Sequence, residues 1–174
     1  MVTRLDSAGI ISTGSTTERD LADRFADTIN VKDFGATGDG TTDDTAAIQA
    51  AINAAAAADP VVGIYLPPGK YKCLTKLELY NNVHITGAGV HTSTLLFYGT
   101  GNFMEANEAV WFTSYTDFTI DLRYAVAVTT GEGTQAMVFN WGAARCWFTE
   151  LFLYASTAGT TGDGTVPTGN GFVI

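Results

Sequence analysis

The spacing of hydrophobic residues changes once along this chain, near residue 60. Before that point, Ile48 and Ile52 are four residues apart among alanines, which predicts an amphipathic helix over about 44–58. Asp59-Pro60 ends this pattern, because the residue before a proline is driven out of the helical region. Beyond it, apolar residues alternate with polar ones or form short groups, which predicts strands separated by turns. The predicted strands cover residues 61–66, 71–74, 76–80, 83–86, 94–98, 109–113, 117–122, 135–140 and 145–154.

Short strands at this spacing are typical of a β-sandwich or a β-solenoid. The scarcity of hairpin signals favours the solenoid, because Asn-Gly and Asp-Gly pairs between strands come only late, at Asp163-Gly164 and Asn170-Gly171. Inward apolar residues should then stack from coil to coil at steps of roughly 21 to 34 residues. The predicted stack contains Ile64, Ile85, Val110 or Phe112, Val138 and Phe172. A solenoid exposes an apolar end that needs a cover, and the helix suits that role.

A glycine-rich turn precedes the helix. Gly35, Gly38 and Gly40 predict positive φ angles, and Thr42, Asp43 or Asp44 can cap the helix start. Neither phosphate-loop pattern matches this turn, and its aspartates lack the spacing of a calcium loop. The turn is therefore interpreted as architecture, and the sequence predicts no cofactor and no metal.

The residues DFGATGDGTTDDTAAIQAAI, followed by IYLPPGKY, resemble the start of the pectate-lyase-like superfamily domain found in phage tailspikes and capsule depolymerases. That resemblance covers about residues 21–89 and implies an all-β solenoid. The implied fold is a right-handed parallel β-helix with an N-terminal capping α-helix, preceded by a polar neck. The residues assigned to the turn and cap are Asp33, Gly35, Gly38, Asp39, Gly40, Asp43, Asp44, Ile48 and Ile52.

The polar segment STGSTTERDLADRFADTINVKDFGA resembles the neck that leads into tailspike β-helices. The resemblance implies that residues 1–30 form an arm at a three-fold axis, where a homotrimer attaches to other tail or baseplate proteins. Residues 31–174 would be the start of the β-helix domain. The strand-like ending NGFVI carries no closing cap, so we expect the domain to continue beyond this chain.

Composition and charge limit the classes of partner that the protein is expected to bind. Of 174 residues, 46% are hydrophobic and 16% are charged, which is typical of a folded protein. The net charge of −9 argues against binding to nucleic acid or to an anionic membrane. An apolar signal core and a long apolar run are both missing, so we expect synthesis in the host cytoplasm without a signal peptide. The resemblance then places the protein in the virion tail.

Candidate chemistry is sparse in this sequence. Asp117, Asp121 and Glu150 are weak candidates for catalysis, because a glycosidase needs two facing carboxylates. In one regular strand Asp117 and Asp121 would share a face about 13 Å apart, too far for that chemistry unless the strand bends. Trp147 and Tyr154 lie near Glu150 and are candidates for stacking on sugars, although the more common role of such rings is in a core or a subunit interface.

The resemblance implies a tailspike or tail-fibre component that recognises host surface polysaccharide and, in the full-length protein, depolymerises it as a lyase or glycoside hydrolase. This chain alone is expected to be inactive. Two alternatives stay open at this stage. One is a structural virion adaptor without sugar chemistry, and the other is a free-standing polysaccharide lyase or glycosidase.

Overall fold

A computed structural model describes residues 25–125, 136–139, 143–144, 146–154 and 172–173. The first elements are strand β1 (Thr28–Asn30), a 3-10 helix (Val31–Phe34), strand β2 (Asp39–Asp43) and helix α1 (Thr45–Ala56). The first two coils contain β3 (Gly63–Leu66), β4 (Gly69–Cys73), β5 (Leu77–Glu78), β6 (His84–Gly87), β7 (Ser93–Phe97), β8 (Met104–Ala106) and β9 (Val110–Trp111). The remaining strands are β10 (Ser114–Asp121), β11 (Met137–Phe139), β12 (Ala143–Ala144), β13 (Trp147–Tyr154) and β14 (Phe172–Val173).

The strands wind into parallel coils, and every described strand pair is parallel. The largest sheet has the order β1-β3-β6-β10-β7-β4-β2, with β13 paired to β10. The first half of β10 pairs with β6 and its second half with β7, so this sheet consists of two faces joined at a corner. A third face has the order β14-β11-β8-β5, and β9 pairs with β12. This arrangement is the right-handed parallel β-helix that the family resemblance implies.

The core is a set of inward columns along the helix axis. On the first face, Ile64 is in register with Ile85, which is in register with Tyr115, and Tyr115 with Phe148. Tyr71, Leu95 and Ile120 form the matching column on the second face, and all three are buried. Each coil therefore covers the apolar surface of the coil before it.

The predicted inward stack is only partly right. Ile64 and Ile85 do stack, but the next member is Tyr115 rather than Val110 or Phe112. Val110 belongs to β9, and Phe112 is exposed. Val138 and Phe172 belong to strands of the third face. The segments between strands differ in length, so counting residues cannot identify a column.

Helix α1 covers the start of the β-helix. Its buried face consists of Ile48, Ala51, Ile52 and Ala55, together with Thr45. The helix contacts β1, β3, β4 and β5 and the 3-10 helix. Ile48 and Ile52 thus seal the first coil as predicted, and the helix ends at Ala56, two residues before the predicted end.

The glycine turn has the predicted backbone. Gly35, Gly38 and Gly40 have φ angles of 98°, 68° and 79°. Gly38 also lies against a buried ring, since a Cβ there would be 2.9 Å from Tyr71 Cε1. Asp33, which was assigned to the turn, lies in the 3-10 helix that precedes it and is exposed.

Asp43 and Asp44 make different hydrogen bonds from the simple helix cap that the sequence suggests. Asp44 is the residue before helix α1, but its side chain does not cap the helix. Instead its buried carboxylate accepts hydrogen bonds from the amides of Thr37 and Gly38, at 2.7 and 3.1 Å. Asp43 accepts from the amide and hydroxyl of Thr45, at 3.1 and 2.5 Å. The Asp43 carboxylate, two residues before the helix, therefore accepts from the first N–H of the helix, while Asp44 holds the turn closed.

Acid is expected to destabilise this turn. Hydrogen bonds from Thr42 and Thr41 hold the pKa of Asp39 well below its ordinary value of 3.8. Burial raises the pKa of Asp43, but hydrogen bonds from Thr45 and Leu74 outweigh it and lower that pKa. A carboxyl group whose pKa is lower in the folded state than in the unfolded state stabilises the fold at pH values above its unfolded pKa. That stabilisation is lost as the pH falls through the folded pKa.

The thermal midpoint should therefore decrease as pH falls below about 4. Asp39→Asn should make that decrease shallower, because the residue no longer titrates. Asp59→Asn, at an exposed position before Pro60, is the matched control and should follow the unmodified chain. Identical pH profiles for all three proteins would show that the Asp39 hydrogen bonds add nothing to stability.

Candidate functional site

The three carboxylates proposed from the sequence do not form one cluster. Asp121 is buried at the end of β10, and its oxygens accept hydrogen bonds from Arg123 N, Nε and Nη2 at 3.0, 2.9 and 2.6 Å. The predicted geometry of one regular strand is also wrong. Asp117 has a φ of 60°, and Tyr115 and Phe118 on either side of it both point into the core. A residue with positive φ interrupts the alternation of inward and outward side chains along the strand. Asp117 therefore lies at the corner between two faces.

Asp117 instead lies beside Glu150. Thr116 is in register with Thr149, and Phe118 is in register with Leu151, so Asp117 and Glu150 occupy equivalent places on adjacent coils. Glu150 shares the left-handed backbone, with a φ of 49°, and is exposed. Adjacent strands are about 4.8 Å apart, so the two backbones are that close at the corner. The fold thus brings together two of the three candidates.

The proposed sugar-stacking aromatics fall in different environments. Trp147 is 55% exposed on β13, in register with Ser114, whose hydroxyl oxygen lies 2.8 Å from His84 Nδ1. The Tyr154 backbone belongs to β13, and its side chain lies outside the described part of the structure. Phe148, also near Glu150 in sequence, stacks on the core ring of Tyr115 with centroids 5.5 Å apart.

A concave site that combines aromatic and charged side chains lies on the outer surface of the second face, and the sequence did not indicate it. This cleft has a volume of about 430 Å³ and runs across β2, β4, β7 and the end of β10. Its lining residues are Asp39, Gly40, Lys70, His91, Thr94, Leu96, Tyr98, Asp121, Arg123 and Tyr124. We call it the second-face cleft.

The register explains how the cleft is built. Lys70 on β4 is in register with Thr94 on β7, and Lys72 with Leu96, which in turn pairs with Asp121 on β10. Thr94 and Leu96 thus form the floor, with Lys70 on one side and Asp121 on the other. These sides are two strand spacings apart, or about 10 Å.

Two aromatic rings close one end of the cleft. Tyr98 and Tyr124 stack with their centroids 4.8 Å apart and their planes at 12°. Lys72 Nζ lies 5.1 Å from the centroid of the Tyr98 ring, and its amino group donates to the Thr41 carbonyl at 3.3 Å. Tyr124 remains 47% exposed, so the stacked pair presents aromatic surface to the cleft.

A second depression of about 450 Å³ lies near the end of helix α1. Glu78, Tyr80, Asn81 and Glu108 are among its lining residues. The Tyr80 hydroxyl donates to Glu78 at 3.2 Å. Burial raises the pKa of Tyr80, and the neighbouring Glu78 raises it further. This depression is acidic and has one ring, whereas the second-face cleft combines stacked rings with both signs of charge.

The residues that the structure describes lack two further kinds of feature. None of the helices there is both long and apolar enough to span a membrane. Likewise, no three His, Cys, Asp or Glu side chains in those residues are grouped as a metal site requires.

The coils, the capping helix and the outer cleft define a parallel β-helix of the pectate-lyase type. A sequence model of the Rhamnogalacturonase A/epimerase, pectate lyase-like family matches residues 28–141. The chain belongs to that family. The match includes the turn, the capping helix and the strands of the first coils, and confirms the resemblance given by the sequence.

The relatives that the chain matches include a bacterial epimerase and a phage protein. Over 71 residues the chain is 55% identical to mannuronan C5-epimerase AlgE2 of Azotobacter vinelandii, an alignment that covers 35% of this chain and 7% of the epimerase. Over 103 residues it is 33% identical to the pre-neck appendage protein of Bacillus phage B103, covering 53% of this chain and 11% of the phage protein. The chain thus spans only a small fraction of the curated relatives that it matches.

A solved structure supports the fold. The A-module of Azotobacter vinelandii mannuronan C-5 epimerase AlgE4 superimposes with a TM-score of 0.61 at 25% identity. The superposition covers 72% of this chain and 38% of the module. The similarity therefore extends over most of the chain described here and less than half of the known module.

Proposed function

We propose that this chain is the first part of the β-helix of a phage tail protein that binds host surface polysaccharide. The second-face cleft is the binding surface in this proposal. The observation that carries the proposal is the stacked Tyr98–Tyr124 pair beside the charged side chains of that cleft. The similarity to a phage pre-neck appendage protein supports the tail assignment.

The cleft has the features that sugar recognition requires. An aromatic ring offers a flat apolar face to the C–H side of a sugar, while charged and hydroxyl groups bind its hydroxyls. Here the exposed ring of Tyr124 is followed along the cleft by Arg123, Asp121 and Thr94. Arg123 and Asp121 fix each other by hydrogen bonds of 2.6–3.0 Å, so these donors and acceptors are held in place before a ligand arrives.

In the whole protein we propose that the bound polysaccharide is depolymerised, by lyase or hydrolase chemistry. Asp117 and Glu150 are the best-placed acids of this chain for a part in that step. Their backbones occupy equivalent positions on adjacent coils, about 4.8 Å apart, so both side chains start from the same corner of the β-helix. Relatives that include a mannuronan C5-epimerase support chemistry on polysaccharide by this fold.

The assembly follows from the same proposal. The arm that joins other tail or baseplate proteins ends before β1 (Thr28–Asn30) rather than at residue 30, because β1 pairs with β3 in the main sheet, and the β-helix domain continues from there. The protein is a homotrimer in the virion tail. Most of the arm lies outside the described residues, so its support is the polar, neck-like sequence and the phage relative.

An array of purified bacterial capsular and lipopolysaccharide glycans tests sugar binding. We expect saturable binding of the chain to at least one glycan. Tyr124→Ala should weaken that binding at least about tenfold, which is about 1.4 kcal/mol, because the stacked platform is lost. The matched control is Trp147→Ala, which removes a similarly exposed ring outside the cleft and should change affinity less than about twofold.

Two results would contradict the proposal. Failure to bind any glycan would favour a structural virion adaptor. Loss of binding with Trp147→Ala, but not with Tyr124→Ala, would move the site to the corner that carries Asp117 and Glu150.

A further inference from the structure

We propose that copies of this chain meet through the outer surface of the first face, so that three first faces turn toward one another around the axis of the homotrimer. This inference rests on the assembly in the proposed function and adds the surface that forms its interface. It starts from the distribution of charge among the three faces of the β-helix.

The outer surface of the first face carries no formal charge in the strands that the structure describes. Alternation along β1, β3, β6, β10 and β13 directs two residues of each strand outward. In coil order these ten residues are Thr28 and Asn30, Gly63 and Tyr65, His84 and Thr86, Ser114 and Thr116, and Trp147 and Thr149. The acids at the nearby corner, Asp117 and Glu150, lie beside this surface rather than on it.

The other two faces are charged. The second face presents Asp39, Lys70 and Asp121, and the third face has Glu78 in register with Glu105. The chain has a net charge of −9, so two copies repel each other, and burying charged side chains between them adds a desolvation cost. The first face is therefore the surface at which two copies approach with the least electrostatic cost.

The polar groups of the first face suit an identical partner. Thr86 is in register with Tyr65 and Thr116, and the Thr116 hydroxyl donates to Thr86 Oγ1 at 3.2 Å. In the parallel row, Ser114 Oγ lies 2.8 Å from His84 Nδ1. A hydroxyl group both donates and accepts, so a row of hydroxyls can be satisfied by the same row on another copy, whereas a charged row needs the opposite charge.

Exposed aromatic rings extend this surface at the corner that follows β9. Trp111, Phe112 and Trp147 are 51%, 40% and 55% exposed. Phe112 has a φ of 56°, while the equivalent corner of the preceding coil carries Asn82, a residue that adopts positive φ more readily. A large ring kept at a strained backbone position indicates a role for that ring. Aromatic residues beside an uncharged surface are the composition of the centre of a subunit interface.

Sedimentation velocity over a wide range of protein concentration tests the interface. We expect the chain to self-associate as its concentration rises. Thr86→Arg places a cation in the middle of the first face, and should raise the dissociation constant of self-association at least about tenfold through repulsion between copies. Thr100→Arg, the same change at an exposed position between β7 and β8, is the matched control and should associate like the unmodified chain.

A mixing experiment separates a disrupted interface from a misfolded variant. Thr86→Arg and Thr86→Glu should each associate weakly alone, and an equimolar mixture should recover the association of the unmodified chain, because opposite charges then face each other. Each copy keeps its own second-face cleft, so Thr86→Arg should bind a short oligosaccharide as tightly as the unmodified chain does.

The outcomes separate this inference from the proposed function. Unchanged self-association of Thr86→Arg, or a mixture that stays dissociated, would overturn the first face as the interface and leave the homotrimer intact. A chain that stays monomeric at every concentration would overturn both the interface and the homotrimer. Sugar binding is decided independently by the glycan array.

Discussion

Gly87→Ala is expected to destabilise the β-helix by about 3 kcal/mol. Gly87 ends β6 and lies against the corner of the next coil. A Cβ at this position would be 2.2 Å from the Asp117 carbonyl oxygen and 2.7 Å from Phe118 Cβ. The oxygen belongs to the backbone of β10, so it cannot move away without disturbing the ladder that joins β6 to β10.

Equilibrium unfolding in urea measures this effect directly. Gly63→Ala provides the control, because Gly63 also lies in a first-face strand and a Cβ there would meet nothing closer than His84 O at 4.0 Å. We expect that variant to stay within about 0.5 kcal/mol of the unmodified chain. A Gly87→Ala protein as stable as Gly63→Ala would show that the coils are not packed as closely at this corner as described.

Ile48→Asp is expected to cost about 4 kcal/mol of unfolding free energy. Ile48 is 2% exposed on the face of helix α1 that covers the first coil. An aspartate there would carry its charge into an apolar contact, and removing the isoleucine would also leave a cavity. Loss of the helix from the end of the β-helix would expose the first coil to water.

Ala50→Asp introduces the same side chain on the exposed side of the same helix. Its cost should stay within about 1 kcal/mol, since only helix propensity changes. Thermal unfolding followed by circular dichroism compares the two variants. Equal midpoints for Ile48→Asp and Ala50→Asp would mean that the helix does not cover the core.

Local features of the fold could be read from the sequence because each depends on neighbouring residues. Three glycines within one short segment predict positive φ angles, and Gly35, Gly38 and Gly40 have them. The four-residue spacing of Ile48 and Ile52 predicts the buried face of helix α1, which the structure confirms. Short-range steric rules and helical periodicity are sufficient for such features.

The corners of the coils could not be predicted in the same way. Asn82, Phe112, Asp117 and Glu150 all have positive φ angles without being glycine. Asn82 and Phe112 stand two residues before the paired His84 and Ser114, so they occupy equivalent corners. The position of a corner residue is determined by the coil stacked beside it. The hydrophobic pattern of one strand alone therefore does not indicate where the corner falls. This is why Asp117 was assigned to the same face as Asp121.

The second-face cleft was missed for a related reason. The cleft is lined by single outward residues from several coils, such as Asp39, Lys70 and Tyr124, which are far apart in sequence. Once the register is known, Lys70, Thr94 and Thr119 form one outward row. The one available signal was the pair of tyrosines, Tyr98 just after β7 and Tyr124 just after β10, whose alignment requires that register.

The most direct test of sugar binding at the second-face cleft is hydroxyl-radical footprinting of the chain with and without the best-binding polysaccharide from the array. Tyr98 and Tyr124 should become protected when the polysaccharide is present. Trp111 and Trp147, which are similarly exposed outside the cleft, should react equally in both states. Protection of Trp147 with unchanged reactivity of Tyr98 and Tyr124 would contradict the assignment of the cleft as the binding site.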